Sequence, residues 1–572
     1  MKNVTNYILR SNGEDFAQAF KVKGIIVLHE ANKISRAKVL LLDGDVSEQD
    51  FALSKTDFFK PGNSFEIEIG FENEVHKVFD GIITNHALKI QESNMSTLEI
   101  ECKHKSVKLT RSKTNKFFYD MSDKAIVEEI LNENGLEYQI TSWPEYTHAQ
   151  LVQNASTNWE FILSRADANG LLVFSEPGSL LIAPPDPEQE EVLNCEYGAN
   201  VLEFEAAINN EFQSPKIKGI TWSPDEQSTL SAEGTPGYNN AMGNLSTEML
   251  AETWGDQFSL YQHCGHLTED ELSSWANSAA TRNELAKVIG RVRIKGTHEV
   301  LPGKVIRLSG FGERFNGKAL VTGVRHELQK GNWTTDIQFG IAPLWYMLRD
   351  KAHSGAYNSL VPGIFGCHTG VVTQLENDPG NGFRVKVNIP VMDPEGEGVW
   401  ARILQPYAGA EYGFCFYPEI GDEVILGFLQ DDPRHPIVLG SVYSGAKHAP
   451  QSIADENHLK GIYTRSGMKL TFEDEQKIIQ ISTPSGNIFS IDESSKSICI
   501  KDEHSNLMEM NAEGITLESK KNVTIKADKD IELEGMNIKI KAAGKFAAEG
   551  NAGADVTSSA IAVLKGSMVQ IN

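Results

Sequence analysis

The chain has 572 residues and a hydrophobic fraction of 40%, which is typical of a folded protein of several domains and excludes a disordered or collagen-like chain. Its formal net charge of −25 disfavours nucleic acid and anionic membrane surfaces as partners, because both repel an acidic surface. The sequence contains no apolar run of about 18 residues and no secretory leader, so we expect neither a membrane-spanning helix nor a signal peptide.

Residues 1–355 are predicted to be rich in strands. Short β-branched and aromatic runs alternate with turn dipeptides such as Asp43-Gly44 and Pro61-Gly62. Apolar spacing predicts a helix over residues 123–134. Capping-box sequences at residues 157–160 and 268–271 predict two further helices.

The next segments differ in character. Residues 223–249 are rich in Ser, Gly, Pro and Asn and are interpreted as a loop insertion. Residues 361–445 hold five or six predicted strands in a short span, which indicates a small barrel of the OB type. Residues 446–461 are polar and are interpreted as a linker.

From residue 462 to residue 572 short apolar–polar alternating strands recur, first every ten residues and then every eight. A short fixed period is the signature of a β-solenoid. One such strand offers too few apolar side chains to offset its ordering entropy. Three identical chains around one axis would provide the missing partners, and the scarcity of large aromatic residues after Tyr463 fits a narrow threefold core. The sequence therefore predicts an intertwined triple-stranded β-helix in a homotrimer.

This order of domains resembles VgrG-type spike proteins of contractile injection systems. In the hub, residues 158–172, with Trp159 and Arg165, look like a segment of the family. The most specific matches are residues 418–424 and 432–443 of the OB domain. Residues 465–472 are similar to the family's entry into the β-helix. Residues 37–44 and 59–62 look closer to spikes of extracellular phage-like particles than to those of type VI secretion.

The resemblance implies a mainly β fold: a phage tail hub-like region with two barrel-like subdomains and helical insertions over residues 1–355, the OB domain and the β-helix spike. It implies a spike that caps the inner tube, contacts baseplate proteins and punctures a target envelope to deliver effectors, touching the target membrane only on firing. A PAAR-type protein would cover the blunt end of the β-helix. The expected contact residues are Met568, Val569, Gln570, Ile571 and Asn572.

The resemblance also implies where the protein is found. We expect synthesis in the bacterial cytoplasm and assembly into a particle, released or cell-anchored, which leaves by contraction or lysis. The six cysteines lie far apart without a CxxC pair, which favours buried reduced thiols and fits a reducing compartment.

We expect no catalytic residues, cofactor or metal ion. About 18 residues separate the OB domain from the β-helix, too few for a lysozyme-like domain with two spaced carboxylates. The sequence His263-Cys264-Gly265-His266 lacks a fourth ligand at a defined spacing and is interpreted as an incidental loop. The OB region holds four basic against eleven acidic residues, the wrong sign for nucleic acid.

Two alternatives remain. A trimeric tail-fibre-like adhesin or glycan binder would share the β-helix, but it would not need the long front region or the Gly421-Asp422-Glu423 motif. A spike with hidden hydrolase activity would reveal itself by turnover of peptidoglycan or ester substrates.

Overall fold

The computed structural model describes residues 4–15, 20–91, 96–223, 226, 228–255, 258–263, 265–342 and 360–571. It forms two compact units, Met1–Tyr443 and Ser444–Asn572, here called the front unit and the C-terminal unit. The fold is mainly β, as predicted. Among the described residues, no helix is long and apolar enough to cross a membrane. The predicted boundary between residues 355 and 361 falls largely outside the described ranges, so the domain limits stay a prediction.

The front unit begins with a run of antiparallel strands. They pair in the order β2-β1-β5-β6-β7-β4-β3. Their alternating side chains place Val27, Val39 and Phe65 in a closed apolar core. The strands are β1 Thr5–Ser11, β2 Glu14–Asp15, β3 Val22–Glu30, β4 Arg36–Leu42, β5 Ser64–Phe71, β6 Glu74–Ile90 and β7 Ser96–Lys103.

Two predicted helices follow, and both are confirmed. Helix α1, Asp123–Glu133, is capped by the Ser122 side chain. Helix α2, Asn158–Ala168, starts with the predicted reciprocal capping box between Thr157 and Glu160. The strands of this part are β8 Lys113–Ser122, β9 Tyr138–Ile140, β10 Thr147–Thr157, β11 Leu172–Glu176 and β12 Ser179–Ala183.

The second half of the front unit extends the first sheet to thirteen strands, because β14, β18, β21 and β20 join it beside β3, β19 pairs with β20, and β13 pairs with β19. Helix α4, Glu269–Ala286, confirms the third predicted helix. The predicted loop insertion is wrong in part, since it contains strand β16 and the first residues of helix α3, Thr247–Ala251. The strands are β13 Glu191–Glu196, β14 Val201–Ile208, β15 Lys216–Ser223, β16 Ser228–Glu233, β17 Phe258–His263, β18 Val288–Lys295, β19 Val305–Ser309, β20 Gly317–Gln329 and β21 Asn332–Phe339.

A small closed barrel completes the front unit, as expected for an OB-type domain. It joins strands β22, β23, β24, β28 and β27, and Val372, Val387 and Leu426 fill it. Val152 of β10 belongs to the same core, so the barrel packs on the antiparallel pair of strands β8 and β10. The strands, including a side hairpin, are β22 His368–Gln374, β23 Val385–Asn388, β24 Val399–Ile403, β25 Ala408–Gly409, β26 Tyr412–Gly413, β27 Glu423–Phe428 and β28 Pro436–Ser441.

The C-terminal unit is a seven-stranded antiparallel meander in which each strand pairs with the next. Its first strand begins inside the predicted linker, which is therefore shorter than expected. Turn residues with positive φ, among them Lys477, Gly486 and Lys496, reverse the chain between strands. The strands are β29 Leu459–Tyr463, β30 Lys469–Glu473, β31 Ile478–Ser482, β32 Ile488–Asp492, β33 Ser497–Lys501, β34 Leu507–Asn511 and β35 Gly514–Glu518.

The cysteines depart from expectation. Cys102 and Cys195 are buried, and burial raises the pKa of the Cys195 thiol to about 12. Cys367 and Cys415 are exposed, because they lie on loops and turns around the barrel and not in its core. Cys264 lies outside the described residues. The prediction of uniformly buried thiols is wrong for the barrel.

Three of the buried histidines of the front unit, His29, His104 and His326, are expected to make it sensitive to acid. Burial lowers the pKa of His326 to about 3 and that of His104 to about 4, and it lowers the pKa of His29 as well. Unfolding exposes these rings, which then bind protons below about pH 6.5. Between that value and the folded pKa, each ring favours the unfolded state by about 1.4 kcal/mol per pH unit of acidification.

We therefore expect the denaturant midpoint of the front unit, followed by tryptophan fluorescence, to fall on going from about pH 7 to pH 5. This window lies above the range in which carboxylates titrate. The exposed His448→Gln variant should show the same slope. A midpoint that does not change between these pH values would contradict the prediction.

Candidate functional site

One face of the C-terminal meander is apolar along its length. Residues directly opposite each other in antiparallel strands point to the same side, as do residues two apart in one strand. The register therefore aligns two rows on one side of the sheet. One row holds Leu470, Ile481, Phe489, Ile500, Met508 and Leu517, and the other holds Phe472, Ile479, Ile491, Ile498, Met510 and Ile515. These twelve residues are called the apolar face.

The apolar face is not covered within this chain. Ile481 is 50% exposed, Ile500 46% and Ile515 72%. Soluble proteins rarely leave so large a contiguous apolar patch in water, and such a patch marks a contact surface. Burying one such side chain fully is worth about 1.5–3 kcal/mol.

The opposite side of the sheet has a different chemistry. Its central row is Thr471, Gln480, Ser490, Cys499, Glu509 and Thr516. Most of these side chains are polar and suit contact with water. The sheet thus has one polar side that suits contact with water and one apolar side that suits contact with another protein surface.

Residues 519–571 contain no assigned strand and are almost entirely exposed. The expected strands at residues 523–525, 531–533 and 538–540 are absent, so that prediction is wrong for the isolated chain. The physical reason is pairing, because a short strand without a neighbour cannot satisfy its backbone groups. The apolar side chains of these three segments remain exposed, for example those of Val523 (53%) and Leu533 (68%).

The expected tip residues lie at the end of this segment. Met568 and Ile571 are exposed by 85% and 86%, and Val569 by 48%. Gln570 is also exposed, whereas Asn572 lies outside the described residues. The structure thus leaves these side chains accessible but does not gather them into a defined site.

A second feature ties the helices of the front unit to the barrel. Five buried charged residues, Asp123, Arg165, Glu271, Asp432 and Arg434, form what is called here the buried charge cluster. Arg165 donates from Nε and Nη2 to the two oxygens of Asp123 at 2.7 and 2.9 Å. Arg434 donates to Asp432 at 2.8 Å and also to Glu271.

Glu271 is the link within the buried charge cluster. Its Oε1 lies 3.6 Å from Nη2 of Arg165 and accepts a hydrogen bond from Arg434 of the barrel. Burial alone would raise the pKa of Glu271, but Arg434, His148 and Arg165 together lower that pKa to about 2. The carboxylate is therefore ionised and holds both guanidinium groups.

Only some residues of the buried charge cluster were singled out from the sequence. Arg165 and residues 432–434 lie in the segments on which the resemblance depends. Asp123 was only the first residue of a predicted helix, and Glu271 was interpreted as part of a capping box. Thr268 does accept from the Glu271 N–H, but the Glu271 carboxylate points to Arg434, because a buried guanidinium requires an acceptor. The available signal for the role of Glu271 was that it is an acidic residue in the first turn of a largely buried helix.

Comparisons with known proteins agree with this architecture. Residues 368–443 match the family model of the type VI secretion system/phage-baseplate injector OB domain. The Vibrio cholerae type VI secretion system spike protein VgrG3 is 34% identical over 107 residues, which cover 17% of this chain and 10% of that protein. The Pseudomonas aeruginosa spike protein VgrG1b is 28% identical over 224 residues, which cover 36% of this chain and 30% of that protein. The chain thus spans a third or less of these relatives.

A structural neighbour covers more of the chain. A chain of the Francisella PdpA-VgrG complex in its half-lidded form superimposes with a TM-score of 0.54 at 10% identity, covering 91% of this chain and 88% of that one. At this identity the likeness concerns the fold.

The resemblance to VgrG-type spike proteins is confirmed. The Alg8 N-terminal domain model matches residues 1–330, more than half of the sequence, and the chain therefore belongs to that family.

Proposed function

We propose that three copies of this chain form the central spike of a contractile injection system, with the front unit as the hub and the C-terminal unit as the rod. The apolar face of the C-terminal sheet carries this proposal. Three such sheets, each turning this face toward a common axis, would make a prism with a dry core and a polar exterior. That arrangement covers every apolar row with identical rows from two neighbours.

The change in pairing along the chain supports the same assembly. Residues 459–518 pair within one chain, so each chain supplies one wall of the prism there. Residues 519–571 have the apolar alternation but no partner strands in the chain. Strands from the other two copies would pair with them, which is the intertwined β-helix expected from the sequence.

The oligomeric mass tests the proposal directly. Native mass spectrometry of the purified chain should give a species at three times 63.2 kDa. The trimer should persist on dilution, because its interface would be an apolar core and not a polar rim. A stable single-chain species would overturn the proposal.

The end of the rod is proposed to receive a PAAR-type tip protein, since a blunt β-prism leaves unpaired strand edges. Deletion of residues 561–572 should leave the trimer mass unchanged and abolish capture of that partner in a pull-down. An alanine pair at the exposed Lys520 and Lys521 serves as control, because it lies far before the tip in the sequence. Retained capture after the deletion would refute this tip assignment.

In this proposal the hub contacts inner-tube and baseplate proteins, and effectors are carried as cargo. The chain would be made in the bacterial cytoplasm, assembled into a free or anchored particle and released by contraction or lysis. Its role would be mechanical and not enzymatic. A trimeric adhesin is the second candidate, but the match to the injector OB domain favours the spike. Immunogold labelling at the particle axis supports the spike, and labelling at its periphery supports the adhesin.

A further inference from the structure

Two distant segments of the front unit bring a histidine–carboxylate group together. His263 ends strand β17, and Asp432 and His435 lie just before strand β28 of the barrel. One candidate ligand atom from each of these three residues lies within 4.8 Å of the other two. The side chains of His263 and Asp432 are fully buried. The sequence predicted no metal here, because the barrel residues are remote from the His263 segment along the chain.

The hydrogen bonds fix the orientation of His263. Its Nδ1 lies 3.0 Å from the carbonyl oxygen of Gly265, and because a carbonyl can only accept, Nδ1 carries the proton. In the neutral ring, Nε2 then presents a lone pair. Metal-bound histidines usually donate their other ring N–H to a carbonyl or carboxylate in the same way.

The Nε2 atoms of the two histidines lack hydrogen-bond partners of good geometry among the described residues. Nε2 of His263 lies 3.0 Å from Oδ2 of Asp432, yet it has no hydrogen-bond partner of good geometry among the described residues. Nε2 of His435 is also buried without one. Two ligands of one ion point at the ion and not at each other, and in a tetrahedral zinc site they lie about 3.3 Å apart.

The surroundings hold the three residues in place. Asp432 accepts from the backbone N–H of Arg434 at 2.9 Å and from its guanidinium, as ligating carboxylates are usually held. A Cβ at Gly265 would lie 2.1 Å from Cδ2 of His435, so only glycine lets this loop close on the imidazole.

We propose that His263, Asp432 and His435 bind one divalent transition-metal ion, for which zinc fits this ligand set, and that the ion joins the β17 segment to the barrel. Two imidazoles and one carboxylate are ligands that zinc takes in proteins, with water in the fourth position. The ion would stabilise the hub–barrel contact beside the Arg434–Glu271 pair. This inference does not depend on the spike function.

Metal analysis of the full chain, purified without a histidine tag, tests the site. Inductively coupled plasma mass spectrometry should find about one zinc per chain. His435→Gln should lower this occupancy about tenfold or more, whereas the control His448→Gln, an exposed histidine of the C-terminal unit, should keep it. Equal occupancy in the two variants would overturn the assignment.

A second measurement on the unmodified chain covers the case in which His435→Gln does not fold. After treatment with a chelator, the wild-type chain should unfold at a lower temperature, and added zinc should restore the midpoint. Cobalt added to the same sample should give the visible absorption of a tetrahedral site. A chelated chain with an unchanged midpoint and no cobalt absorption would overturn the proposal.

Discussion

Phe489→Asp is expected to destroy the rod. Phe489 lies in the middle of the apolar face, opposite Ile481 and Ile500. In a threefold prism the substitution would bring three carboxylates into a dry core, and each uncompensated buried charge costs several kcal/mol. Native mass spectrometry should show loss of the trimer. Trypsin should cut the C-terminal unit of this variant, whereas the trimeric wild type is expected to resist it.

Ser490→Asp is the matched control for this substitution. Ser490 is the next residue and lies in the central row of the opposite, polar side. The same carboxylate there would remain in water, so the trimer mass and the resistance to trypsin should not change. If the Phe489→Asp chain resists trypsin as well as the Ser490→Asp chain, the apolar face is not an interface.

Arg165→Leu is expected to have the largest effect on the front unit. The guanidinium is fully buried and makes two hydrogen bonds to Asp123 and a third, at 2.9 Å, to the carbonyl oxygen of Leu360. Its removal leaves the charges of Asp123 and Glu271 buried with too few cations. Breaking such a buried pair typically costs about 3–5 kcal/mol, which should appear as a lower thermal midpoint or as insoluble protein.

Arg307→Leu provides the comparison. Arg307 also pairs with a carboxylate, that of Glu191, but at the surface, where its side chain is 48% exposed. Water and salt screen such a pair, so the thermal midpoint of this variant should remain that of the wild type. Equal midpoints for the two leucine variants would show that the buried charge cluster does not stabilise the hub.

The parts of the fold that could be predicted are those determined by local sequence. The caps and apolar spacing of α1 and α2 lie within a few residues of each other, and the repeat up to residue 518 shows its strands by simple alternation. The same alternation failed after residue 518, because a strand also needs a neighbour, and there the chain supplies none.

The sites were harder to predict, because their partners are remote in sequence. Arg165 is 42 residues from Asp123, and Arg434 is 163 residues from Glu271. His263, Asp432 and His435 meet only because the barrel packs against the helical part of the front unit. Composition and spacing identify the residue types, but the contacts between them are produced by tertiary structure.

The proposed change from pairing within one chain to pairing between chains would have a kinetic consequence. The hairpins over residues 459–518 join neighbours in sequence, and such local contacts form quickly in a single molecule. In the proposed trimer, the segment after them would order only when three chains meet, so its folding rate would depend on concentration. The meander would therefore act as a preformed template that aligns the three chains, and assembly would proceed from the hub toward the tip.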